Sequence, residues 1–153
     1  MKETEERYEE SVGVVLAYGP SLSSVVSKTK TNNNERFLLV KSPRGDWNFV
    51  KGHKEKEETD YETLSREIFE ETSITRYNIL NYLGKIKYKF KKSGSEIKKE
   101  VRYYYAFTDT KRILLSNEHV DYTWLRYAQA RRLLTFYQSK LILGKIFERE
   151  FSH

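Results

Sequence analysis

The clearest helix signature in this chain, Thr59 to Ser73, sits between two sets of short β-rich apolar runs, and that placement limits the fold more than any other feature. Thr59 followed three residues later by Glu62 is a capping-box pattern, in which each side chain satisfies a backbone N–H of the other. Tyr61, Leu64 and Ile68 follow at helical spacing and predict one apolar stripe facing a core. Upstream, "SVGVVLAY" (Ser11 to Tyr18), "RFLLVKS" (Arg36 to Ser42) and "WNFV" read as strands. They are separated by "SLSSVVSKTKTNNNE", a polar loop or irregular hairpin tip, and by the turn "PRGD"; "KGHKEKEE" reads as a further polar loop. Downstream, "ILNYLGKIKYKF" and "EVRYYYAFT" predict a hairpin around Ser93-Gly94-Ser95, and "DYTWLRY" a further strand. "AQARRLLTFYQSKLILGKIFERE" closes the chain as an amphipathic helix, with an interruption expected near Gly144. The order β-β-β-α-β-β-β-α predicts one α/β sandwich domain over residues 1–153, with no internal repeat and an acidic N-terminal extension at residues 1–10.

A chain of 153 residues can bury one sizeable core. Zero cysteines remove disulfides, thiolate metal sites and cysteine nucleophiles together, and with three histidines a metal site has to rely on carboxylates. No apolar run approaches the length of a membrane helix, and the start "MKETEERYEE" is unlike a signal peptide, so the expected compartment is the cytoplasm. The net charge of +6 is uneven, with "KIKYKFKKSGSEIKK" (Lys85 to Lys99) strongly basic. Such a surface favours polyanions: nucleotides, polyphosphates or nucleic acid. A merely soluble lysine-rich hairpin would read the same way.

Within the helix, Glu67, Glu70 and Glu71 fall at i, i+3 and i+4 and share a face. The Tyr61, Leu64 and Ile68 stripe lies on a neighbouring face, so the glutamates are expected outside the core. Like charges this close destabilise an isolated helix by a few tenths of a kcal/mol per pair, roughly. Arg66, at i, i+4 to Glu70, supplies a single cation. Three hard oxygen donors on one face suit Mg²⁺ or Mn²⁺ with a phosphate substrate; a solvated helix face is the other reading.

The residues before the helix extend the pattern. Gly52 is followed after five residues by Glu58, and after seven more by Arg66-Glu67-Ile68-Phe69-Glu70-Glu71-Thr72-Ser73-Ile74. This resembles the box of the Nudix hydrolase family, over residues 52–74, with Ser73 in place of its last glycine. The resemblance implies an α/β/α sandwich in which a mixed sheet carries the box helix and a C-terminal helix. It implies that Glu67, Glu70 and Glu71 bind Mg²⁺ or Mn²⁺, with Glu58 and the carbonyl of Gly52 as further donors. Arg66 would orient a glutamate, Glu70 first among them. The family hydrolyses nucleoside diphosphates linked to another group, by attack of water on phosphorus.

"DWNFVKGHKEKEETDYETLSRE" and "LSNEHVDYTWL" (Leu115 to Leu125) are similar to the asymmetrical diadenosine tetraphosphate hydrolase branch of that family. That resemblance implies Glu118 as a metal ligand or general base from outside the helix. Lys51 and Arg44 would contact the phosphate chain, and His53 is a further phosphate candidate. Phe136 would stack on adenine opposite Tyr88, with Phe90 and Tyr103 as alternatives; Trp47 and Trp124 read as core or pocket wall. Proline is missing both before Lys51-Gly52-His53 and after Gly52, which leaves base preference open. The expected partner is a small nucleotide substrate, bound by a monomer or homodimer, with no membrane. A Nudix enzyme acting on RNA 5′ ends and a non-catalytic nucleotide-binding module are the competing readings. At Ser73 the helix is expected to end differently, because a left-handed serine costs on the order of 1 kcal/mol.

Overall fold

Both faces of the central strand are buried, which is why its sequence shows a continuous apolar run rather than an alternation. The computed structural model describes residues 6–19 and 35–151; of the predicted loop "SLSSVVSKTKTNNNE", only Glu35 lies among them. Strand β1 (Glu6–Tyr18) pairs in parallel along its whole length with β6 (Ser95–Thr108). Its other edge is shared by β4 (Val50–His53) and β2 (Arg36–Lys41), both antiparallel, so the mixed sheet forks there. β5 (Asn78–Lys92) adds to β6 on one side, and β3 (Trp47–Asn48) and β7 (Asp121–Leu125) both pair with β2.

Residues at period two divide the core between the faces. Val12, Val14 and Leu16 pack with Leu64 and Ile68 of helix α1 (Asp60–Thr72). Val15 and Ala17 pack with Ala130, Leu134, Ile142 and Leu143 of the C-terminal segment. That segment is two helices, α2 (Tyr127–Leu133) and α3 (Tyr137–Phe151). The break therefore falls at residues 134–136 and not at Gly144, which lies inside α3. The cause is a tertiary clamp: Trp47 N–H donates to Thr135 Oγ1 at 2.8 Å and Thr135 N–H to the Trp47 carbonyl at 3.1 Å.

The predicted capping box is present in both directions, Glu62 N–H to Thr59 Oγ1 at 3.2 Å and Thr59 N–H to Glu62 Oε1 at 3.1 Å. Several expectations need correcting. Tyr61 is exposed and leans on Tyr104 at a ring separation of 5.6 Å, so the inward face starts at Thr63 and Leu64. Glu67 and Glu71 are on that inward face, at 7% and 3% exposure, while Glu70 stays exposed. Residues 51–53 continue the strand from Val50 rather than opening a loop, and residues 6–10 belong to β1 rather than to an extension. The helix end is not shifted: Ser73 takes the left-handed conformation at φ 63° and donates its N–H to the Phe69 carbonyl at 2.9 Å.

Candidate active site

The site forms where β4 meets α1. Gly52 on β4 faces Glu67 so closely that a Cβ there would lie 1.8 Å from the Glu67 carboxyl carbon. Only glycine lets the strand backbone and that carboxylate approach to this degree. Lys51 and His53, on either side, project from the same strand.

Arg66 gathers the acids. Its Nε and Nη2 donate to the two oxygens of Glu58, both at 2.9 Å, a bidentate pair. Nη1 donates to Glu67 Oε1 at 2.7 Å and to Glu70 Oε2 at 3.4 Å, and Nη2 also reaches the His53 carbonyl at 2.8 Å. Glu58 further accepts from Thr63 Oγ1 at 3.0 Å and from the Glu55 N–H at 2.8 Å. The Arg66 guanidinium, these other donors and its own ion pair hold Glu58 down to about 2. The structure thus makes Glu58 the brace of Arg66, and Arg66 holds Glu67 more closely than Glu70. Burial pushes the Glu67 carboxyl above its ordinary value, against the pull of Arg66.

Glu71 ties the loop between β6 and β7 to the helix. Ser116 Oγ donates to Glu71 Oε2 at 2.7 Å, and His119 Nδ1 lies 2.6 Å from the same oxygen. Burial alone would raise the Glu71 pKa, but the hydrogen bonds of His119 and Ser116 outweigh it and leave it below the ordinary value. Glu118 rides on this loop. Its hydrogen bond to Glu71, and the charge of that neighbour, push its carboxyl upward. His119 and Ser116 as the anchors of this loop escaped the sequence reading; "LSNEH" held the signal, without showing that its partner was Glu71.

These groups surround a polar cavity of about 430 Å³, lined by Glu67, Glu70, Glu118, Arg66, Gly52 and His53 among others. Among the described residues, no three acidic or histidine side chains converge as a ready metal cluster; the carboxylates are paired with Arg66, with His119 and with each other. The donor chemistry nevertheless fits a hard divalent cation: Glu67, Glu70 and Glu118 line the cavity with carboxylate oxygens beside the close Gly52–Glu67 contact, whereas Glu71 and Glu58 are not among its lining residues and Glu71 Oε2 is taken by Ser116 and His119.

A second cavity, of about 290 Å³ and mostly apolar, adjoins it and is lined by Tyr88, Phe136, Ile86, Asn48 and Ser139. Lys51 lines both cavities, its Nζ 5.8 Å from the Tyr88 ring centre. The structure therefore brings Lys51, His53, Tyr88 and Phe136 to the site. Tyr103 is not at the site: it is 0% exposed, packed edge-on against Phe49 at 5.7 Å, and offers no free ring face. Arg44 lies in an exposed turn and lines neither cavity. Phe90 packs beside Tyr88 at 6.0 Å. Trp47 and Trp124 are half-buried against the two cores.

The family model described as the NUDIX domain matches residues 23–143 of this chain. The comparison with curated proteins found no match. Among solved structures, a binary complex of a C. elegans Ap4A hydrolase superimposes with a TM-score of 0.71 at 21% identity, over 92% of this chain and 96% of that one. An E. coli dihydroneopterin triphosphate pyrophosphohydrolase gives 0.70 at 17% identity, over 94% and 99%. The NUDIX domain of Shewanella oneidensis NrtR, complexed with ADP ribose, gives 0.66 at 14% identity, over 96% and 90%. At these identities the likeness is one of fold.

Proposed function

The chain belongs to the Nudix domain family and has its α/β fold, and from that premise we propose that it hydrolyses a phosphoanhydride bond of a dinucleoside polyphosphate, diadenosine tetraphosphate to ATP and AMP. The observation that carries this reading is the continuity of two unlike cavities through one lysine: carboxylates on one side of Lys51, aromatic rings on the other. An adenine needs an apolar slot with ring faces, and Tyr88 and Phe136 supply both. The phosphate chain then passes Lys51 towards Glu67, Glu70 and Glu118. Glu67, Glu70, Glu71, Glu118 and the Gly52 carbonyl would hold Mg²⁺ or Mn²⁺, which supplies positive charge for phosphate oxygens and makes water more acidic.

The chain's own groups do the rest. Water oxygen bonds to one of the two phosphorus atoms that share the bridging oxygen, the bridging P–O bond to that phosphorus breaks, and ATP and AMP separate. One water proton passes to a carboxylate, Glu70 or Glu118, and then to solvent. Arg66 fixes Glu67 and Glu70 in place, and Glu58 fixes Arg66. An enzyme for RNA 5′ ends would draw on the basic hairpin. Its outward lysines Lys85, Lys87 and Lys89, however, already face Glu100 and Glu96, which weakens that alternative.

The test is one substrate panel with Mg²⁺ or Mn²⁺ in ¹⁸O-labelled water: diadenosine tetraphosphate, 5′-triphosphate RNA, ADP-ribose and nucleoside triphosphates. The expected result is preferred turnover of diadenosine tetraphosphate to ATP and AMP, with the label in one product marking the phosphorus attacked. Turnover of another substrate with diadenosine tetraphosphate left intact would overturn the substrate assignment, and no turnover at all the enzymatic one.

A further inference from the structure

Arg44 lines neither cavity, yet its turn is tied to the C-terminal helices. The Trp47–Thr135 clamp, two hydrogen bonds of 2.8 and 3.1 Å, fixes the turn between β2 and β3 against the turn between α2 and α3. Within a few residues of that clamp stand Lys41 and Arg44 on one side, and Arg131, Arg132 and Lys140 on the other. Arg44, Arg131 and Arg132 are exposed; Lys41 and Lys140 are half-buried.

None of these five cations forms an ion pair with a carboxylate among the described residues. The sequence gives the reason: about one residue in seven of the chain is acidic, yet none from Tyr122 to Phe147 is. Two acids border the group. Asp46 forms no ion pair among the described residues, and Asp121, opposite Lys41 on β7, accepts from the Tyr122 N–H at 2.8 Å. Five cations against two carboxylates leave the surface positive. The lysine-rich hairpin is the contrast, since Lys85, Lys87, Lys89 and Lys98 face glutamates at 3.5, 3.9, 3.7 and 3.1 Å. Cations without such partners attract a polyanion.

Aromatic rings choose among the polyanions. Phe136 and Tyr137 are 44% and 69% exposed at the start of α3, and Lys41 Nζ lies 5.8 Å from the ring centre of half-buried Trp47. Exposed rings among cations are stacking platforms for unpaired bases, whose faces a duplex keeps covered. An anionic membrane would need a broad apolar face. Helix α3 commits Ile142, Leu143 and Ile146 to the core and leaves Tyr137 and Leu141 outward.

We propose that this face binds single-stranded nucleic acid, with phosphates against Lys41, Arg44, Arg131, Arg132 and Lys140 and a base stacked on Tyr137. The surface lies outside the acidic cavity and goes beyond the hydrolase reading, because binding here needs neither a metal nor the acids of α1.

The experiment is a fluorescence anisotropy titration of the full chain, in chelator, against labelled single-stranded RNA and DNA of one short sequence. Arg44→Gln combined with Arg131→Gln, one from each turn, weakens binding at least about tenfold. It also flattens the fall of log affinity with log salt by about 1.4, the share of two single-strand phosphate contacts. Tyr137→Ala weakens binding about fivefold or more. Lys87→Gln combined with Lys89→Gln removes the same charge from the hairpin and leaves affinity within about twofold. Equal weakening by the two double variants, or unchanged affinity in Tyr137→Ala, would overturn the proposal. So would tighter binding of phosphatidylserine vesicles than of either oligonucleotide. Oligonucleotide bound in the expected way by a chain that turns over no dinucleotide keeps the surface and removes the hydrolase reading. Turnover of diadenosine tetraphosphate with no oligonucleotide binding does the reverse.

Discussion

At the scale of single residues, position matters more than charge count. Gly52 is where it can be tested most sharply, since a methyl group there would occupy the space of the Glu67 carboxylate. Gly52→Ala is expected to fold and to lose on the order of 10²-fold in turnover, because a displacement of about 1 Å near reacting groups costs that much. Near-wild-type kcat in a Gly52→Ala protein would contradict it. Ser73 makes the opposite prediction: its left-handed backbone is strained and its side chain is exposed, so Ser73→Gly stabilises by up to about 1 kcal/mol in urea unfolding. The spacing of Glu58, Arg66, Glu67, Glu70 and Glu71 was legible in the sequence, down to the arginine. Which of them are buried was not. Glu71 lies inward because the Ser116–His119 turn offers it polar partners, and Glu67 because Gly52 of β4 leaves room for its carboxylate while Arg66 pairs with it; a helical wheel sees neither a partner nor a space distant in sequence.

Among the elements, α1 carries the site, and its first turn is pinned to the sheet. Asp60 accepts from Arg102 Nη2 at 2.7 Å and Nε at 2.9 Å, and from Tyr104 Oη at 2.6 Å. These bonds, Arg102 foremost, hold the Asp60 carboxyl well below its usual range. A depressed carboxylate contributes stability above its unfolded pKa, about 4, that is lost as pH falls through its folded value. Asp60→Asn is therefore expected to destabilise by about 1–3 kcal/mol at pH 7. The gap from wild type should close as pH is lowered from about 4 towards 2, measured by thermal unfolding across that range. A gap that stays constant with pH would refute the charge argument. Strands and their hairpin were legible from apolar runs and the Ser93-Gly94 turn. Lys99 was lost in its basic run because counting lysines ignores the pleat: Lys85, Lys87 and Lys89 face Glu100 and Glu96 outside, while Lys99 turns towards the site.

Over the whole molecule, the α/β class followed from element order, but the forked sheet did not. Pairing of β1 with β6 in parallel and with β4 across residues 11–14 joins segments far apart in the chain, and local pattern carries no trace of it. That fork brings Lys51 between an aromatic cavity and an acidic one. Lys51→Met should accordingly raise KM for a dinucleoside polyphosphate about tenfold, with wild-type affinity falling as salt is added. The central claim is that the acids of α1 drive phosphoanhydride hydrolysis, and its most direct test is the turnover of diadenosine tetraphosphate by purified, folded Glu70→Gln and Glu71→Gln variants. A fall of at least about 10²-fold in kcat is expected for each; turnover left intact in both would rule out this role for the α1 acids.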